Sequence, residues 1–235
     1  MSQTKPKKDL DAILELAVVI LLGITALLTA CASWIGALHG GNQASNYARS
    51  NNLAAEGNSE YNAAIQNLTQ DMMLYDAIND MEIDLTFAQE RADADEIARL
   101  EWKLEELTQN NMSEELLDAY VWAREQTQAT GENCSPFEME GFMDSYFLSA
   151  NDLLDQSEAA LTQGQQDNAH DDAFGLVTVI YSVVLFLLGI VGTFKGQKNR
   201  IGITCITAAA FLLATIYMFT LPLPTGFSLN SFFGG

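Results

Sequence analysis

Proline is nearly missing from this chain. Only four occur, and none falls between Pro6 and Pro136. That suits long helices, and no strand is predicted. Basic residues are also scarce, 11 against 31 acidic ones, for a formal net charge of −20. Such a charge repels nucleic acid and excludes it as a partner. Histidine is limited to His39 and His170, and cysteine to Cys31, Cys134 and Cys205. Three unclustered cysteines exclude a disulfide framework and give no zinc-ligand spacing. No glycine-rich phosphate loop, nucleophile motif or His-Glu-x-x-His element is present, so the chain reads as a protein other than an enzyme.

What is present is three long apolar runs, over 12–38, 173–194 and 201–221. Each exceeds the ~20 residues a helix needs to cross a bilayer. Six of the basic residues flank them on one side: Lys5, Lys7, Lys8, Lys195, Lys198 and Arg200. Basic residues near span ends are retained in the cytoplasm. The expected order is therefore a cytoplasmic amino terminus over 1–11, a first span over 12–38 and an acidic extracytoplasmic domain over 39–172. A second span over 173–194, a cytoplasmic basic loop over 195–200, a third span over 201–221 and an extracytoplasmic tail over 222–235 follow. Between Gly40 and Asp172, 28 carboxylates face five basic residues, which leaves −23. Leu28-Thr29-Ala30-Cys31 resembles a lipoprotein-processing box, but the apolar run continues through Trp34, Ile35 and Leu38, which favours a retained span.

The fold class is thus an all-α membrane protein with a long-helix domain between its first two spans. Within that domain Leu53, Tyr61, Ile65, Leu68, Met72, Tyr75, Ile78 and Met81 recur at helical steps and predict an apolar stripe. A break is expected near 87–95 and another at Asn110-Asn111. Ser113 before Glu114 and Glu115 reads as a helix cap, and Thr130-Gly131 as that helix's end. Ser135-Pro136-Phe137-Glu138 predicts a capping box that opens one continuous helix into the second span, with a bend at Gly164. Trp102 and Trp122 are expected to anchor packing.

Three segments carry a resemblance. Ala30–Tyr47 (ACASWIGALHGGNQASNY), Ser135-Pro136-Phe137-Glu138-Met139 and the run from Asn168 to Gly189 resemble a family of uncharacterised bacterial three-span membrane proteins. The resemblance implies the three-span architecture and a bacterial inner (plasma) membrane location, and it brings no activity or catalytic residue.

Two constellations are candidates for function. On a helical wheel Glu15, Thr25, Thr29, Ser33 and Gly36 share one sector of span one. Such a stripe either lines a water-filled path or lets helices pack closely. Three spans enclose no path alone, so a conducting form is expected to be a homo-oligomer in the lipid bilayer. Asp167, Asp171 and Asp172 precede span two and would gather cations at an outer mouth, Ca²⁺ among them. His39 and His170 are placed at the same membrane surface, where they are candidates for pH sensing. The resulting expectation is a cation-permeable channel with an acidic vestibule. The rival is a non-conducting scaffold or sensor whose acidic domain binds a partner or divalent ions.

Overall fold

The computed structural model describes residues 6–227, with side chains from residue 11 onward. The described residues are helical, without a strand: α1 (Pro6–Glu90), α2 (Ala94–Asn110), α3 (Glu114–Thr130), α4 (Phe142–Ser145), α5 (Leu148–Ile190) and α6 (Gln197–Thr220). Single 3₁₀ turns lie at Pro136–Glu138 and Val191–Thr193. Three of the helices, α1, α5 and α6, contain stretches long and apolar enough to cross a membrane. The chain divides into two compact units, one of Met1–Arg49 with Ala159–Gly235, the other of Ser50–Glu158. Helices α1 and α5 each contribute to both.

In the first unit, burial follows a seven-residue repeat. Val18, Thr25, Ala32 and His39 are buried on α1, and Ala160, Asp167, Phe174, Tyr181 and Leu188 on α5. This is the spacing of helices wound as a left-handed coiled coil. Phe211, Ala214 and Met218 of α6 complete the apolar cluster, into which Tyr181 and Val184 are fully sunk. The opposite faces carry exposed Ile13, Leu16, Val19, Leu27, Phe186, Ile206 and Leu213. Apolar surface of that extent is what a span offers to lipid.

Glycine sets how closely the helices approach. A Cβ on Gly36 would stand 3.0 Å from an Asp171 carboxylate oxygen and 3.2 Å from the Phe174 Cβ. One on Gly164 would stand 2.5 Å from the Tyr47 ring. Gly40-Gly41 lies within unbroken helix.

The second unit repeats the pattern with Ser50, Gly57, Ala64, Asp71 and Ile78 on α1 and Ala150 and Ser157 on α5. The buried line overlaps the predicted stripe only in part, at Leu68 and Ile78. Tyr61, Ile65 and Met72 are exposed, while small residues and Asp71 occupy the seam. Close approach explains this: at Gly57 a Cβ would meet the Leu154 side chain at 3.0 Å. Helix α3 starts and stops as expected. Ser113 accepts from the Leu116 amide, and Gly131 closes the end at φ 76°.

The segment after Cys134 departs from the sequence reading. Ser135 accepts from the Phe137 amide, but Glu138 accepts from the Cys134 thiol, so no capping box forms. Extended backbone at Met139 and a φ of 80° at Gly141 break the predicted continuous helix. The break lets Phe142 turn inward, where it is buried with Leu116 and Ala119. Trp102 is no packing anchor, being 63% exposed.

The glycine contacts give a paired prediction. Gly164→Ala should lower unfolding stability by about 1–3 kcal/mol, because a methyl must displace an aromatic ring. Gly175→Ala meets nothing within 4 Å and should be neutral or stabilising by up to about 1 kcal/mol. Unfolding in mixed micelles followed by circular dichroism checks both. Equal effects would mean that Gly164 does not set the approach.

Candidate functional site

The most connected polar cluster lies in the first unit, on residues that the heptad spacing gathers. Gly36, His39, Gln43 and Asn46 fall on one face of α1, and Gln163, Asp167, His170, Asp171 and Phe174 on one face of α5. His39 Nδ1 lies 3.0 Å from Asp167 Oδ1, with the two side chains each 2% exposed. His39 Nε2 lies 3.2 Å from the carbonyl of Pro222, just beyond α6. Both ring nitrogens therefore face oxygen atoms. The other Asp167 oxygen accepts from Asn46 at 3.1 Å and Gln163 at 3.3 Å. Gln43 donates to Asn168 at 2.8 Å beside it. The His170 ring is 5.1 Å and the Phe174 ring 5.9 Å from that of His39.

The cluster ties all three candidate spans together. Removing one partner of a buried pair strands the other's charge or donor. The tail adds further contacts to α1: Asn42 donates to the Thr225 carbonyl and hydroxyl, and Trp34 meets the Phe227 ring at 5.6 Å.

The predicted site residues separate into several environments. His39 and His170 do come together. Asp167 is buried and fully partnered, so it presents no carboxylate to an outer mouth. Asp171 lies against Gly36 and Gly40, and Asp172 is exposed. Thr25 is 0% exposed and its hydroxyl donates to the Leu21 carbonyl at 2.6 Å. Thr29, half-buried, donates to the Thr25 carbonyl. Gly36 is a packing contact, while Ser33 and Glu15 are left exposed. Glu15 pairs with Arg200 at 3.3 Å. Among the described residues no three His, Cys, Asp or Glu side chains are gathered to hold a metal ion. Asn46, Gln163 and the Pro222 carbonyl escaped the sequence reading. The seven-residue spacing of 39 with 46 was the signal that could have found Asn46.

The second unit holds two further polar groups. Asp71 accepts from Ser113 and Tyr146 within its seam. Glu82 accepts from Tyr120 at 2.7 Å and from Arg124 at 2.8 Å. Glu82, Tyr120 and Arg124 border a cavity of about 180 Å³ that Asn79, Gln128 and Asn133 also line. Burial, then the hydrogen bond to Glu82, pushes the Tyr120 phenol up to about 12, against the lowering effect of Arg124.

Comparison of the chain with protein-family models, with curated proteins and with solved structures finds no match. The functional reading therefore rests on the site geometry.

Two predictions follow from these clusters. His39→Ala and Asp167→Ala should each destabilise by about 3–5 kcal/mol, while the double variant falls well short of their sum. Mixed-micelle unfolding measures the cycle, and additive losses would show the pair uncoupled. The second concerns Tyr120, whose raised value favours the neutral phenol in the fold. That contribution is complete below 10.0, the ordinary value, and is lost as pH rises to about 12. Phenolate absorbance should show one late-titrating phenol fewer in Tyr120→Phe. The stability gap between the variant and the parent should narrow across the same interval.

Proposed function

We propose that the protein is a membrane-anchored sensor or scaffold that does not conduct ions. The observation that carries this reading is the use already made of the small-polar stripe on α1. Thr25 is sealed inside the first unit with its hydroxyl returned to its own helix, and Gly36 is filled by Asp171 and Phe174. Residues so engaged leave little to line a water path. In this reading the amino terminus and the Lys195–Arg200 loop are cytoplasmic, following the basic residues. The acidic unit of Ser50–Glu158 is extracytoplasmic, at a bacterial inner membrane. Its cavity beside Glu82, Tyr120 and Arg124 is the feature suited to a small polar ligand.

A homo-oligomeric, cation-permeable channel is the second reading. It is favoured by Ser33 and Glu15, which the protomer leaves exposed. Planar-bilayer recording of the reconstituted protein, across voltage, pH and cation gradients, decides between the two. The expected result is no current from protein that retains its helical circular dichroism. A cation-selective current that Ser33→Leu or Glu15→Gln alters would overturn the sensor reading.

A further inference from the structure

The end of the first unit that carries Arg200 holds an arrangement the preceding readings do not use. Arg200 lies in the first turn of α6, and its side chain is only 15% exposed. Its Nη2 donates to Glu15 at 3.3 Å, and its Nη1 stands 3.8 Å from Asp11. Its Nε is shut away from solvent without an acceptor, and Asp11 Oδ1 is likewise buried without a donor. A guanidinium has five N–H groups, and this one is poorly satisfied. Buried polar groups left so cost free energy, and the part of the Arg200 side chain still open lines a groove.

Beside these charges runs a groove of about 390 Å³. Its walls are Val18, Val19 and Leu22 of α1 with Leu188 of α5 and Val191 of the 3₁₀ turn after it. Gly189 and Gly192 line it as well, and a Cβ on either would meet nothing within 4 Å, so the groove is open there. Glu15 and Arg200 lie along the same groove. Glu15 is only three positions inside the apolar run that begins at Ala12. An apolar lane ending in paired charges of both signs, at the edge of a span, matches one class of molecule.

We infer that this groove binds a phospholipid whose headgroup carries both a phosphate and a primary ammonium, as phosphatidylethanolamine does. The acyl chain lies along the valines and leucines. The phosphate accepts from the Arg200 guanidinium, and the ammonium donates to Glu15. Complementarity argues for the zwitterion. An anionic headgroup without an amine could accept from Arg200 but has no ammonium to set against the exposed Glu15 carboxylate. A choline headgroup is neutral overall but has no N–H to give Glu15. The inference is independent of whether the protein conducts and of which leaflet holds the groove.

The test uses the full chain, delipidated in detergent and titrated with phosphatidylethanolamine, phosphatidylcholine and phosphatidylglycerol of identical acyl chains. Native mass spectrometry reads the adducts. The ethanolamine lipid should bind about tenfold more tightly than the choline lipid, the fold-change of one hydrogen bond to a charged group. Glu15→Gln should erase that preference, and Glu15 is exposed enough for the fold to tolerate the change. Gly189→Leu should fill the groove and remove the preferred adduct while helical circular dichroism is retained. Equal affinity for the ethanolamine and choline lipids overturns the inference. So does a preference for the anionic lipid that Glu15→Gln leaves intact, or a stable dimer that takes up no lipid.

Discussion

Close approach of helices at a seven-residue interval is the constraint on which the rest of the structure depends. Lipid offers an apolar helix as good an environment as another helix does, so the hydrophobic effect gives spans little reason to associate. Association then relies on tight packing and on polar groups that find partners only inside. Both occur in the first unit. Gly36 and Gly164 remove the side chains that would hold α1 and α5 apart, and His39, Asn46 and Gln163 complete the hydrogen bonds of Asp167. Sliding one helix by a residue would bring methylenes against glycine and separate the histidine from its carboxylate. A buried polar pair of this kind specifies register at some expense in stability.

The second unit meets the same constraint with different chemistry. Its seam also buries a carboxylate, Asp71, but hydroxyls rather than an imidazole and amides satisfy it. Ser113 does two things there, donating to Asp71 and capping α3. The start of α3 is thereby tied to one position on α1. Tyr146 joins the same carboxylate, and burial together with that bond raises its phenol well above the usual range. The hydroxyls act as donors to the carboxylate, which neutral phenol and alcohol groups can do across the ordinary pH range.

The helical class, the three long apolar helices, the turns near 91–93 and 111–113, the Ser113 cap and the Gly131 stop were all legible in the sequence. Each depends on local chemistry: apolar length, a side-chain oxygen before a run of acids, or a residue that tolerates positive φ. Contacts between distant segments were less legible. Large apolar residues drew attention at 61, 65 and 72, yet the seam took Gly57, Ala64 and Asp71, because small size matters most where backbones approach. Single-sequence patterning rewards bulk and overlooks vacancy. The same bias hid the break at Met139–Gly141, where the inward turn of Phe142 overrides a favourable helix-start signal. The His39 and His170 rings lie 5.1 Å apart, whereas Asp167 was misjudged because a carboxylate beside other carboxylates reads as solvated.

That misjudgement bears on how the acidity of the chain should be understood. A run such as Asp167, Asp171 and Asp172 invites interpretation as one electrostatic feature, although successive helical positions turn by about 100°. The three residues consequently meet different surroundings: Asp167 faces His39, Asp171 faces the glycines of α1, and Asp172 faces outward. Asp172 contributes an exposed carboxylate and Asp171 a half-buried one, while Asp167 contributes none. Asp167 acts as a structural acceptor, and its charge is answered within the unit. Net charge therefore overstates the field that this end of α5 presents. The acidity divides into carboxylates that hold helices in register and carboxylates that keep the surface solvated, and on the described residues the first kind is where the histidines lie.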